Sequence, residues 1–146
     1  MDRVKMQDFM VPFIDLTVPA GFPSPAAEFA ERRINLNMEL IQHPEATYIV
    51  RCAGDSMINA FIPPKCLLVV DRAIEAKNGD IVVVFINGDW TVKRLEKNEH
   101  RSRLVPENSK YKEITITDDM EVLIWGVVIH IISTPKRKSN GGIGGL

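Results

Sequence analysis

Asn87-Gly88 stands between two runs rich in branched residues, Ile81 to Ile86 and Asp89 to Leu95. Both residues of a two-residue hairpin turn need positive φ, and Asn-Gly takes it at least cost. The pair therefore predicts an antiparallel hairpin and commits the chain to a β architecture. Tyr48 to Ala53, Leu67 to Val70, Leu104-Val105, Ile114 to Thr117 and Glu121 to Ser133 supply further strands, the last being long and rich in Val and Ile. Helical signals are confined to the start. Ser24-Pro25 reads as an N-cap with proline at the first helical position, and Ala26, Phe29, Ala30 and Ile34 follow at helical spacing. Asn35 caps a second short helix through Ile41, stopped by Pro44. The expected fold is mostly β: an antiparallel domain with one or two short N-terminal helices and an extended N-terminal arm.

With 146 residues, the chain has room for one domain. Residues 1–24 hold Pro12, Pro19 and Pro23 and no sustained period, so they read as the extended arm. Residues 25–134 read as the folded domain. Residues 135–146, with Lys136-Arg137-Lys138 and paired glycines, read as a flexible tail. Eighteen basic against 19 acidic side chains leave a net charge of −1, which does not favour a general polyanion binder. Cys52 and Cys66 can make neither a disulfide framework nor a zinc site alone, and are expected as reduced thiols. Val18-Pro19-Ala20 has the small-residue look of a signal-peptide cleavage site. However, Asp2, Asp8 and Asp15 are acidic and Pro12 interrupts the only apolar run, so a cytoplasmic chain is expected. No Walker loop, dinucleotide fingerprint or metal-ligand spacing occurs, and no cofactor is implied.

Three features bear chemistry. Gly54-Asp55-Ser56-Met57 follows a strand, and a serine on such a turn presents its hydroxyl and its own N–H, as acyl transfer requires. A polar turn with local hydrogen bonds explains the same residues. Lys93 lies in Trp90 to Leu95, where alternation places Thr91, Lys93 and Leu95 on one face. Facing inward, it would be a lysine among apolar groups, with its pKa lowered by burial. To serve as a base near pH 7 that pKa must fall from about 10.4, at a cost of about 4–5 kcal/mol. Facing water, it is an ordinary edge lysine. Finally, Ala20-Gly21 is a slim peptide bond between prolines that keep its flanks extended, the form a protease substrate takes. It equally fits an ordinary flexible terminus.

Together, Ala20-Gly21, Gly54-Asp55-Ser56-Met57 and Thr91-Val92-Lys93 resemble the LexA-like self-cleaving serine peptidases. The resemblance runs from about Gly21 to Ser133. It includes Gly21-Phe22-Pro23-Ser24-Pro25-Ala26, Leu40-Ile41-Gln42-His43-Pro44, Leu67 to Asp71, Gly79-Asp80-Ile81-Val82 and Gly126 to His130. It implies the LexA/signal-peptidase-like β fold and a Ser56–Lys93 catalytic dyad. It also implies an oxyanion hole from the backbone N–H groups of Asp55 and Ser56, and cleavage between Ala20 and Gly21. Only 20 residues precede Gly21, too few for the helix-turn-helix domain that the family's repressors carry. This points to the branch whose cleaved product is a regulatory subunit of an error-prone translesion DNA polymerase in SOS mutagenesis. That branch implies a homodimer, a RecA–single-stranded-DNA filament as activator and a UmuC-type polymerase partner. It implies no sequence-specific DNA binding and no membrane. The strand Val122 to Ile132 is expected as a dimer edge.

One segment departs from the family pattern. Relatives have Gly-Asp just before the Leu-Leu strand, whereas this chain reads Pro63-Pro64-Lys65-Cys66. The departure motivates an alternative: a dimeric interaction module of the same fold that no longer cuts and binds a polymerase or repressor partner.

Overall fold

Proline lacks the N–H a β ladder needs, so the first strand of this chain is short. The computed structural model describes residues 9–17 and 32–138, grouped in two compact units, Met1–Pro44 and Glu45–Leu146. In the first unit β1 (Met10–Pro12) pairs antiparallel with β2 (Arg33–Asn35), Val11 opposite Ile34. Pro12 closes β1 at the strand end, a position that tolerates it. Ile34, expected on a helix, is therefore a strand residue. Its partner is more than twenty residues away in sequence, which local periodicity cannot foresee. The rest of that expected helix and the Ala20-Gly21 bond lie outside the described residues. The Asn35 cap is found: its Oδ1 accepts from the N–H groups of Asn37 at 3.0 Å and Met38 at 3.4 Å, starting α1 (Leu36–Leu40).

The second unit is one seven-stranded antiparallel sheet. Its strands are β3 (Thr47–Arg51), β4 (Leu67–Asp71), β5 (Ile81–Ile86), β6 (Asp89–Lys97), β7 (Ser102–Val105), β8 (Ile114–Thr115) and β9 (Val122–Ile132). The spatial order is β3-β4-β9-β5-β6-β7-β8. The Asn-Gly hairpin forms as expected: Asn87 has φ 47° and Gly88 φ 97°, and Ile86 faces Asp89 across it. Asn87 also exchanges hydrogen bonds with Glu121, its N–H donating to the Glu121 carbonyl and its Oδ1 accepting from the Glu121 N–H. This ties the turn to the approach of β9.

β9 pairs with β5 from Val122 to Val127 and with β4 from Val127 to Ile132. Each half therefore carries a ladder on one side only, while the strands at the margins of the sheet are β3 and β8. An apolar run of this kind marks burial between neighbours as well as an unpaired margin. Two register shifts interrupt β9. Against β5, Trp125 is the extra residue between Ile124 and Gly126; against β4, Ile129 is the extra residue between Val128 and His130. Each bulge resets the alternation of faces. Trp125, Val128 and Ile131 pack on one apolar cluster, formed by residues such as Met57, Ile62, Leu68 and Val83. Val122, Val127 and Ile129 pack on the other, with Val82, Val84, Leu95 and Leu104.

The departure at Pro63 to Cys66 keeps the β3–β4 pairing through a bulge. Lys65 N–H donates to the Cys52 carbonyl at 2.8 Å and Cys52 N–H to the Cys66 carbonyl at 2.9 Å, with Lys65 at φ 69°. That is the left-handed position a bulge of this type commonly gives to glycine. Cys66 is buried beside Cys52, and burial raises the pKa of both thiols. Neither has the activated thiolate of a redox sensor.

Candidate active site

Ser56 lies on the connection between β3 and β4. Gly54 takes φ +80° and turns the chain out of β3. Met57, 2% exposed, anchors the turn in the core, and its carbonyl accepts from Ala60 and Ile62 N–H groups. Burial of the residue after the serine leaves the serine itself half-buried at the surface of the cluster.

Lys93 comes from the middle of β6, on the face shared with Thr91 and Leu95. Inward placement is observed: Lys93 is 6% exposed, and burial lowers its pKa. Its Nζ lies 3.1 Å from Ser56 Oγ, 2.6 Å from Thr91 Oγ1 and 3.1 Å from the Val92 carbonyl. A neutral amine has two hydrogens and one lone pair. Thr91 and Val92 take the hydrogens, so the lone pair faces the Ser56 hydroxyl proton. A protonated amine donates to all three oxygens, so the site satisfies both states. Thr91 was legible only as a strand neighbour in the sequence; its role follows from i, i+2 residues sharing a face.

The serine turn is held from a second side. Asn108 Nδ2 donates to the Asp55 carbonyl at 2.9 Å, Tyr111 OH donates to Asp55 Oδ1, and Asn59 N–H donates to the Glu107 carbonyl at 2.9 Å. The Asp55 hydrogen bond raises the Tyr111 pKa. Glu107 also pairs with Arg94 at 2.8 Å, so the loop gripping the serine turn is bolted to the strand that carries Lys93. Nothing in the sequence singled out Asn108 or Tyr111. Among the described residues, the N–H groups of Asp55 and Ser56 have no hydrogen-bond acceptor.

Ser56 opens on a crevice of about 220 Å³ between the end of β3 and the start of β6, walled by Arg51, Ala53, Thr91 and Val92. Val50, Val83 and Trp90 are shared with an adjoining apolar pocket of about 250 Å³ that Trp125 completes. Trp90 and Trp125 meet edge to face, 5.8 Å between ring centres, with Arg72 4.8 Å above Trp125. The arrangement offers a hydroxyl, a desolvated amine, two free backbone donors and an extended cleft. Among the described residues no cluster of side chains could hold a metal ion, and no helix is long and apolar enough to cross a membrane.

Residues 12–129 match the Peptidase S24-like family. The chain is 42% identical to Protein MucA of Salmonella typhimurium over 121 residues, 82% of each chain. It is 42% identical to Protein SamA of Salmonella typhimurium strain LT2 over 114 residues, 78% of this chain and 79% of that one. The LexA repressor of Bordetella petrii is 38% identical over 118 residues, 80% of this chain but 52% of the repressor. With an antiparallel β domain, a serine turn beside a buried lysine and these relatives, the chain belongs to the Peptidase S24-like family as a UmuD-like member of its LexA-related group.

Proposed function

We propose that this chain is a self-cleaving serine peptidase that cuts its own Ala20-Gly21 bond. The observation that carries the reading is the 3.1 Å approach of buried Lys93 Nζ to Ser56 Oγ. Neutral Lys93 takes the Ser56 proton as Oγ attacks the Ala20 carbonyl carbon. The Asp55 and Ser56 N–H groups receive the oxyanion. The intermediate collapses by breaking the Ala20–Gly21 C–N bond, and Lys93 passes its proton to the departing Gly21 amine. Water, deprotonated by Lys93, then hydrolyses the acyl-enzyme, releasing residues 1–20 with a free carboxylate. A substrate carried by the protein itself has a high effective concentration, so a modest catalyst suffices for one turnover.

Residues 1–24 serve as the arm bearing the scissile bond, 25–134 as the peptidase domain and 135–146 as a tail. The product, beginning at Gly21, acts in SOS mutagenesis as a regulatory subunit of an error-prone translesion polymerase of the UmuC type. A RecA–single-stranded-DNA filament activates cleavage in the cytoplasm, and the chain works as a homodimer. Intact mass after incubation from pH 7 to pH 10 tests the reading. Wild type should lose residues 1–20, faster as pH rises through the lowered pKa of Lys93, while Ser56→Ala and Lys93→Ala stay whole. Equal cleavage in Lys93→Ala would sink the dyad.

A further inference from the structure

We propose that Asn108 is a positioning residue that sets the oxyanion donor by fixing the Asp55–Ser56 peptide plane. The inference rests on the reading of Ser56 as nucleophile. In a planar trans peptide the carbonyl of one residue and the N–H of the next point in opposite directions. The Asp55 carbonyl is directed at Asn108 Nδ2, 2.9 Å away, and at the Ile58 N–H, 3.2 Å away. The Ser56 N–H therefore points the opposite way, without an acceptor among the described residues. A flipped plane would put a carbonyl oxygen where negative charge develops, turning a stabilising dipole into a repelling one.

The Asn108 amide is itself oriented. Its Oδ1 accepts from the Lys110 N–H at 3.0 Å, which leaves Nδ2 for Asp55. Tyr111 holds the carboxylate of the same residue, but that grip acts on the side chain and leaves the peptide plane free. The Ile58 bond is the longer of the two on the carbonyl and belongs to the turn alone. Asn108 touches none of the reacting atoms.

Asn108→Asp keeps the shape and exchanges the donor for an acceptor, and Asn108→Ala removes the group. Both are compared with wild type, Ser56→Ala and Tyr111→Phe by intact mass from pH 7 to pH 10, with thermal melting alongside. The Asn108 variants should cut about 10- to 100-fold more slowly at every pH, as expected for a displaced oxyanion donor. The pH midpoint should stay that of wild type, because Lys93 and Ser56 are untouched. Tyr111→Phe should lose much less rate. Cleavage within about twofold of wild type would overturn the proposal, as would a midpoint that moves with the rate or melting that collapses in both Asn108 variants. A wild type that stays whole throughout would instead overturn self-cleavage itself, and this inference with it.

Discussion

Lys93 is a residue whose usefulness and cost have the same origin. Burial lowers its pKa, so the unfolded chain holds that proton more tightly than the folded one. Between the lowered value and the ordinary lysine value, unfolding takes up a proton and stability rises with pH; below that window the full cost is felt. In a Ser56→Ala background, Lys93→Met should therefore melt higher than Lys93 at pH 7, and the gap should narrow toward pH 10. A gap independent of pH would mean that desolvation is not the cause. Thr91→Val removes one of the three oxygens around Nζ and should slow self-cleavage about tenfold through lost orientation, read by intact mass. Lys65 is costly for a different reason. At φ 69° its side chain bears the left-handed strain of roughly 1 kcal/mol, so Lys65→Gly should raise the urea midpoint accordingly. A lowered midpoint would show that the Lys65 side chain makes a compensating contact. The sequence identified Ser56 and Lys93 as chemistry-bearing residues only in combination. Each alone read better as a turn serine or a solvated lysine, because a separation of 37 positions in sequence conceals their contact.

At the scale of elements, strands were legible wherever a local rule decides them. The Asn87-Gly88 turn marks the β5–β6 hairpin, and alternation in β6 puts Lys93 and Leu95 inward together. What local pattern could not supply was partnership. Ile34 looked helical because its strand partner is remote, and nothing local announces that β9 pairs with β5 along its first half and with β4 along its second. The loop holding Asn108 and Tyr111 carries no periodic signal at all; its role arises from hydrogen bonds to a turn some 53 residues earlier. Gly126 shows how tightly β9 is fitted. A Cβ there would stand 2.6 Å from Val70 Cγ1 and 3.1 Å from Arg72 Cγ. Val70 is fully buried and stiff at χ1, so Gly126→Ala should destabilise by about 1–3 kcal/mol. Urea unfolding monitored by tryptophan fluorescence reads this directly, and an unchanged midpoint would mean that β4 yields freely.

For the whole molecule, the proposed dimer predicts a solution mass of twice 16.4 kDa. Light scattering at micromolar concentration would rule it out by returning a single chain. The fold class was readable because most strands announce themselves locally, while the order of those strands was not. That order places β9 between two apolar clusters, and its two extra residues decide which side chain serves which cluster. In effect the strand has a reading frame, shifted once at Trp125 and back again at Ile129. Substitutions within it are local events. Deleting one residue at a single bulge would turn over every side chain beyond it, exchanging core for surface, whereas deleting one at each bulge would disturb only the segment between. Sequence drift along β9 should therefore be tolerated far better than any single change in its length.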